Sequence, residues 1–470
     1  MSMGRLPSNS QRERALPPEA WRPVATLVRL AVRPLDHFFR IEAASGIVLL
    51  VSAAVALFWA NSPWAASYRA LWHTHVGFHI GALAFENTLE WLVNDVLMAV
   101  FFFVVGMEIR KEAHDGELSE WRRAVLPALA AVGGMLVPAA LYMAAVTSNA
   151  ARPGWGIPMA TDIAFAVGVL TLLGARVPPA LRTLLLALAV IDDLGAILVI
   201  AIFYSSGIAW SGLAIAALGL LLIVLMRAIG IRSFAAYVPP AALAWAGTYA
   251  SGIHPTIAGV AVGLLTPVQA WVGASGFVDE ARSQAQHVSE ELASEKPESA
   301  LVGALNRVTF ASREAVSPAQ LLIDSLHPWV AFLIMPLFAL ANAGVDVRGL
   351  KLGGAAGEVS LAIMLALILG KPLGVMIVSF IALRLRVAIL PEGLAFKHVA
   401  VLGVVAGIGF TMSLFIAQLG FADATLLAAA KLAVLVASAT AMLLGLVLGR
   451  VLLSAPRSAI EAHSSAIQTH

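Results

Sequence analysis

The sequence predicts an all-α polytopic membrane protein of about twelve transmembrane helices, on three observations. First, 60% of its 470 residues are hydrophobic and only 12% are charged, where soluble domains carry roughly 25% charge. Second, apolar runs of roughly 17 to 25 residues, long enough to cross a bilayer as helices, recur from residue 41 to about residue 450. Third, threading the chain from a cytoplasmic N-terminus leaves twenty-four of the 30 Lys and Arg on that side and four, Arg69, Arg152, Arg348 and Lys351, on the other. Only Lys371 and Lys431 fall inside spans. The asymmetry follows the positive-inside rule and places both termini in the cytoplasm, which requires an even number of spans. A formal net charge of +2 implies no nucleic-acid partner, and the absence of cysteine removes disulfides and thiolate metal sites.

Residues 1–40 form an Arg-rich, Pro-broken cytoplasmic tail without the apolar core of a cleaved signal peptide. The membrane domain follows over 41–450, and a second cytoplasmic tail over 451–470. Its first span, 41 to 60, is a plain apolar run. Span two, 92 to 110, carries Asp95 near its outer end and Glu108, Arg110, Lys111 and Glu112 at its inner end. Those charges read as a solvated, surface-paired face or as a funnel that senses pH and gathers cations. Span three covers 124 to 146. Span four, 158 to 175, opens with GIPMATDIAFAVG, where Pro158 and the pair Thr161-Asp162 interrupt the apolar run. Span five, 183 to 204, contains LLLALAVIDDLGAILVIAIFY, with Asp192 and Asp193 near its middle.

Spans six (211 to 226), seven (233 to 250) and eight (255 to 267) are apolar, and His254 at the turn between the last two reads as a structural histidine. A polar insert over about 268–325, rich in Glu, Ser, Ala and Gln, is expected as a cytoplasmic amphipathic helix or a mobile loop. Span nine, 326 to 343, ends at Asn342, a candidate cap. Span ten, 357 to 382, holds Lys371 in LALILGKPLGVMIV. Span eleven, 399 to 418, is interrupted by Gly407, Gly409 and Thr411 in VVAGIGFTMS. Span twelve, 425 to 448, places Lys431 close enough to its start to snorkel.

Two of these spans are flawed, and they lie in opposite halves. Backbone freed by such breaks is tolerated at membrane depth only where protein buries it or water reaches it, and paired interruptions are the pattern of transporters built from inverted repeats. Four charges, Asp162, Asp192, Asp193 and Lys371, lie deep in apolar spans, where each would cost roughly 2.5 to 3.5 kcal/mol if it faced lipid. A half-helix start is electropositive and suits Asp162, while half-helix ends are electronegative and suit Lys371. Adjacent residues on a helix point about 100° apart, so Asp192 and Asp193 can border one cavity but cannot share one lysine. Desolvation and like-charge repulsion both favour the neutral acid, and the same oxygens are hard ligands for a small cation. A proton and a cation therefore compete for them. That competition is enough to couple opposite fluxes.

The stretches NDVLMAVFFFVVGMEIRKE (94–112), ATDIAFAVGVL (160–170), LAVIDDLGAILVIAIFY (188–204), PLFALANAGV (336–345), LGKPLGV (369–375) and GIGFTMSLFIA (407–417) closely resemble the NhaA-type bacterial sodium/proton antiporters, in family order over about residues 40 to 450. These antiporters are themselves among the proteins that define the inverted-repeat pattern. The resemblance implies an inner-membrane protein whose two broken helices cross near the midplane. On the same resemblance it would export Na+ or Li+ in exchange for about two H+ and be activated at alkaline pH. Asp192 and Asp193 would bind cation and protons, Thr161 and Asp162 would lie at the first break, and Lys371 would offset the opposite break or pair with Asp192. The resemblance further implies a homodimer joined through the loop at about 61–91, and no cofactor beyond the transported ions. The family's charged residues just after span eight are replaced here by Val268, Gln269 and Ala270. Two rival classes remain. An intramembrane protease would need GxGD or HExxH, and neither string occurs. A passive cation channel or a symporter could share the broken helices and buried acids.

Overall fold

The computed structural model describes residues 42–80, 83–116, 118–205, 207–231, 233–291, 297–349 and 353–453. The expected tail 1–40 and most of the tail 451–470 lie outside the described residues. Helix α1 (Glu42–Ala60) turns through 116° into the short α2 (Ala65–Trp72). Strands β1 (His75–Ile80) and β2 (Leu83–Thr88) then pair antiparallel, His75 opposite Thr88 and Ile80 opposite Leu83. This hairpin adds to the expected all-helical architecture. Two strands of six residues with mixed polarity leave no trace in a window sized for a membrane span.

The chain continues through α3 (Leu89–Asp115), α4 (Trp121–Ala145), the 3-10 segment Arg152–Met159, α5 (Ile163–Leu172), α6 (Pro179–Phe203), α7 (Trp210–Ala228), α8 (Phe234–Ala250) and α9 (Thr256–Leu265). Within the insert, α10 (Gly273–Glu291) and α11 (Pro297–Glu314) pack against each other. Next come α12 (Pro318–Asn342), α13 (Ala355–Arg384), the pair α14 (Phe396–Ala406) and α15 (Phe410–Gly420), and α16 (Ala424–Leu452). Helix α12 begins at Pro318 rather than near 326. Ser317 caps it by accepting from the Gln320 N–H at 3.2 Å, a start signal that the polar sequence PAQLLIDSLHPW hides from a hydropathy reading.

Among the described residues seven helices are long and apolar enough to cross a membrane, and the bent pairs raise the number to as many as ten. Helices α8 and α9, at 17 and 10 residues, are shorter. With them every one of the twelve expected segments is helical, and the chain is a polytopic membrane protein whose spanning part is all-helical. Helix α3 runs from the hairpin face to the insert face, and these two faces orient everything below.

Uninterrupted helices approach through small residues. A Cβ on Gly247 of α8 would sit 2.3 Å from the backbone nitrogen of Ala216 in α7, and one on Gly374 of α13 would sit 2.1 Å from the Gly133 carbonyl of α4. Helix α13 contains a π-helical stretch, Ala366–Gly370, directly before Lys371-Pro372. Proline cannot donate to the helical ladder and its ring crowds the carbonyl four residues back. The wider π turn relieves that crowding and sets the direction in which Lys371 leaves the helix.

Candidate functional site

The Arg152–Met159 segment and α5 form one broken span, bent by 41°, and α14 and α15 form the other, bent by 47°. They run in opposite senses between the two faces and their breaks meet, where the Asp162 N–H donates to the Ile408 carbonyl at 2.7 Å. Each break strands carbonyls at the end of its first half and N–H groups at the start of its second, with no water in a bilayer core to receive them.

Side chains answer these ends one by one. The Asp162 carboxylate accepts from the Phe165 N–H at 3.1 Å at the start of α5, and from the Thr411 N–H at 3.1 Å and the Thr411 hydroxyl at the start of α15. One carboxylate thus caps both electropositive starts. The Phe410 N–H donates to Ser438 Oγ of α16 at 3.0 Å. At the electronegative ends, the Lys371 ammonium donates to the Met159 carbonyl, and the Thr161 hydroxyl lies 3.0 Å from the Ala406 carbonyl.

The same two donors reach α6. Lys371 Nζ lies 3.0 Å from Asp192 Oδ2, and Thr161 Oγ1 lies 2.7 Å from the same oxygen. Thr161, Asp162, Asp192, Asp193 and Lys371 are all at most 1% exposed. Asp192 Oδ1 and Asp193 Oδ1 are buried and, among the described residues, have no hydrogen-bond partner. A buried acceptor left without a partner costs about 1–3 kcal/mol, more when charged. Carboxylates with a neighbouring hydroxyl make an oxygen-only donor set that suits protons and small hard cations.

Residues 36–448 match the family described as Na+/H+ antiporter 1. The chain belongs to that family. It is 60% identical over 457 residues to the Na+/H+ antiporter NhaA 2 of Myxococcus xanthus, covering 96% of this chain and 97% of that relative. It is 50% identical to the NhaA 2 antiporter of Sorangium cellulosum, with 94% of each chain covered, and 45% identical to the NhaA antiporter of Cupriavidus necator, with 98% of each covered. Membership of this antiporter family makes the chain a multi-pass membrane transporter rather than an enzyme.

In this antiporter the sequence-derived site residues divide into two groups. Thr161, Asp192 and Lys371 form a bonded cluster, Asp162 caps the neighbouring half-helix starts, and Asp193 stands next to Asp192. Glu108 of α3 is half-buried and lies within electrostatic reach of Asp193. Arg110, exposed, and Glu112, half-buried, sit further along α3 and do not join the cluster. Past them a cleft of about 560 Å3, lined by Lys111, His114, Asp115, Gln269, Ser317 and Gln320, opens on the insert face.

Two outlying charges stand beside polar partners that the sequence does not show. Asp95 is on no solvated face: its side chain is 17% exposed and 3.7 Å from His254 Nε2. Burial pushes the His254 imidazole down to about 4, so that contact involves a neutral ring at ordinary pH. Lys431, partly exposed, is two turns inside α16, and its ammonium lies 3.5 Å from Asn342 Oδ1 at the end of α12. Asn342 caps α12 by donating to the Phe338 carbonyl at 3.0 Å, donates to Asn94 at 2.8 Å and accepts from Gln418. The polar residues that the sequence did not single out, Ser413, Ser438, Tyr142 and Tyr204, share one signal: a hydroxyl inside or at the end of an apolar run.

Proposed function

We propose that this antiporter exports Na+ or Li+ electrogenically in exchange for about two H+ by alternating access, with Asp192 and Asp193 as the shared site for cation and protons. The observation that carries this reading is the pair of buried, adjacent carboxylates, one held by Lys371 and Thr161, the other with an oxygen that nothing in the described protein satisfies. Two bare carboxylates cannot persist side by side in so dry a site, so occupancy alternates between protons and a cation. Lys371 and Asp162 hold the half-helix ends. Glu108, Arg110 and Glu112, on the route from the insert face, gather cations and sense pH, with activity rising under alkaline conditions. The chain resides in a bacterial inner membrane, with both termini cytoplasmic in accord with its Lys and Arg asymmetry. It pairs as a homodimer through the region at 61–91, where each hairpin strand has an outer edge available to a second copy.

Everted membrane vesicles with a pH-sensitive dye test this reading. Adding Na+ or Li+, but not K+, is expected to release protons from acidified vesicles. Asp192→Asn and Asp193→Asn are each expected to abolish that response in protein that still inserts. Normal Na+ exchange by Asp193→Asn would overturn the assignment. A second reading draws on the 3.0 Å Lys371–Asp192 contact: Lys371 carries one of the two protons. Neutralising it by Lys371→Gln would then leave one proton per Na+ and an electroneutral exchange, whereas a retained membrane-potential response assigns both protons to the aspartates.

A further inference from the structure

The 3-10 segment Arg152–Met159 carries Thr161 and the Met159 carbonyl into the site, yet its own backbone is poorly self-supporting: it contains Pro153 and Pro158, and its geometry leaves carbonyls unpaired. Other spans hold it along its whole length. Tyr142 of α4 donates to the Ala151 carbonyl at 2.6 Å. Tyr204, at the end of α6, donates to the Pro153 carbonyl at 2.6 Å and accepts from the Gly156 N–H at 3.3 Å. Ser413 of α15 donates to the Ile157 carbonyl at 2.7 Å, and Lys371 holds Met159. Two glycines make room for this grip. A Cβ on Gly154 would lie 2.3 Å from the Tyr142 hydroxyl, and one on Gly156 would lie 2.8 Å from the Tyr204 hydroxyl.

Tyr204 stands out among these contacts because its helix also bears the carboxylates. Helix α6 and the segment are fastened at two places about 18 Å apart along α6, by Thr161 to Asp192 and by Pro153 and Gly156 to Tyr204. Fixing both ends sets the register of the segment on α6. That register decides where the Thr161 hydroxyl and the Met159-bound ammonium stand relative to Asp192. We infer that Tyr204 is a positioning residue for the ion site, acting through the half-helix Arg152–Met159 with Gly156 as its obligate partner. The inference rests on the reading of Asp192 and Asp193 as the ion site.

Na+-dependent exchange in everted vesicles over a series of pH values tests it, with Ser205→Ala as a neighbouring control, since among the described residues the Ser205 hydroxyl bonds within its own helix end, to the Ala201 carbonyl. Tyr204→Phe keeps the ring and removes the hydroxyl. Gly156→Ala drives the hydroxyl away from the other side. Each is expected to raise the apparent KM for Na+ by about 2- to 10-fold, the range of one neutral hydrogen bond, with the maximal rate retained and the midpoint of the pH profile displaced. The double variant is expected to be no worse than either single, because both undo the same hydroxyl contacts with the segment. A wild-type KM and pH midpoint in Tyr204→Phe, or additive rises in the double variant, would overturn the inference. If Tyr204→Phe fails to insert, Gly156→Ala decides alone: an unchanged KM and midpoint there defeats it. Normal exchange by Asp193→Asn would instead bring down the underlying site reading, whatever Tyr204 does.

Discussion

The helix pair α7 and α8 and the crossing of the two broken spans solve the same problem by opposite means. Between Trp210 and Met226, and again from Phe234 to Ala250, the pair contains no charged residue. Its helices meet backbone to backbone, where a Cβ at Gly212, Gly219 or Gly247 would fall within 2.5 Å of the partner's main chain. Unbroken helices satisfy their own hydrogen bonds, so close packing of small residues is all that they need in lipid. At the crossing the ladder stops twice, and every loose end draws a polar partner: Asp162, Lys371, Thr161 and Ser438. The contrast teaches that buried charge in this protein follows interrupted backbone. It also separates Asp192 and Asp193 from the rest, since they lie in unbroken α6 and cap no end.

Four substitutions probe that contrast. The largest effect is expected from Asp162→Ala, which leaves two N–H groups and a hydroxyl without their acceptor. A loss of about 3 kcal/mol or more should appear as a lower midpoint in detergent melting, together with lost exchange. Gly247→Leu strikes the apolar pair instead. Overpacking there should destabilise by about 1–3 kcal/mol while the protein that survives keeps its Na+ KM, so a changed KM would show that the pair is not separate from the site. Ser438→Ala takes one cap from the crossing, and a melt lower by about 1 kcal/mol is expected. A null result would mean that the Phe410 N–H finds another acceptor.

The smallest effect concerns His254, which joins the two regions: it follows α8 and stacks edge-on against Phe415 of α15, centroids 5.1 Å apart. Its folded value of about 4 lies below the ordinary 6.5, so the unfolded chain binds a proton that the folded chain refuses. Stability is therefore intact above about 6.5 and falls as pH drops toward 4, by on the order of 1 kcal/mol at pH 5.5. His254→Gln should flatten that decline between pH 7 and pH 5, read as the difference in melting midpoint from the wild type.

The sequence revealed most where hydropathy and charge disagree. Apolar runs located all twelve segments, most of them by the length that a bilayer sets for a span, with the 10-residue α9 the short exception. Pro158, Gly407 and Gly409 marked the breaks, and four charges in apolar runs pointed to the residues that the crossing gathers. Less visible were partners defined by distance alone. Nothing local to Lys431 or Asp95 tells that Asn342 and His254 stand beside them. The hairpin escaped because its residues alternate too briefly, and the start of α12 because its first turns are polar. Carbonyl acceptors such as Met159 and Ala406 are silent in any sequence, since every residue has one.

The Thr161 hydroxyl owns one hydrogen and faces two acceptors, Asp192 and the end of α14. While Asp192 is an anion the hydrogen goes to it, and Ala406 goes without. Once Asp192 gains a hydrogen of its own it can become the giver, and the hydroxyl is released to Ala406. Simple valence thus ties the protonation state of Asp192 to the terminus of a different span, with no atom travelling further than a bond rotation.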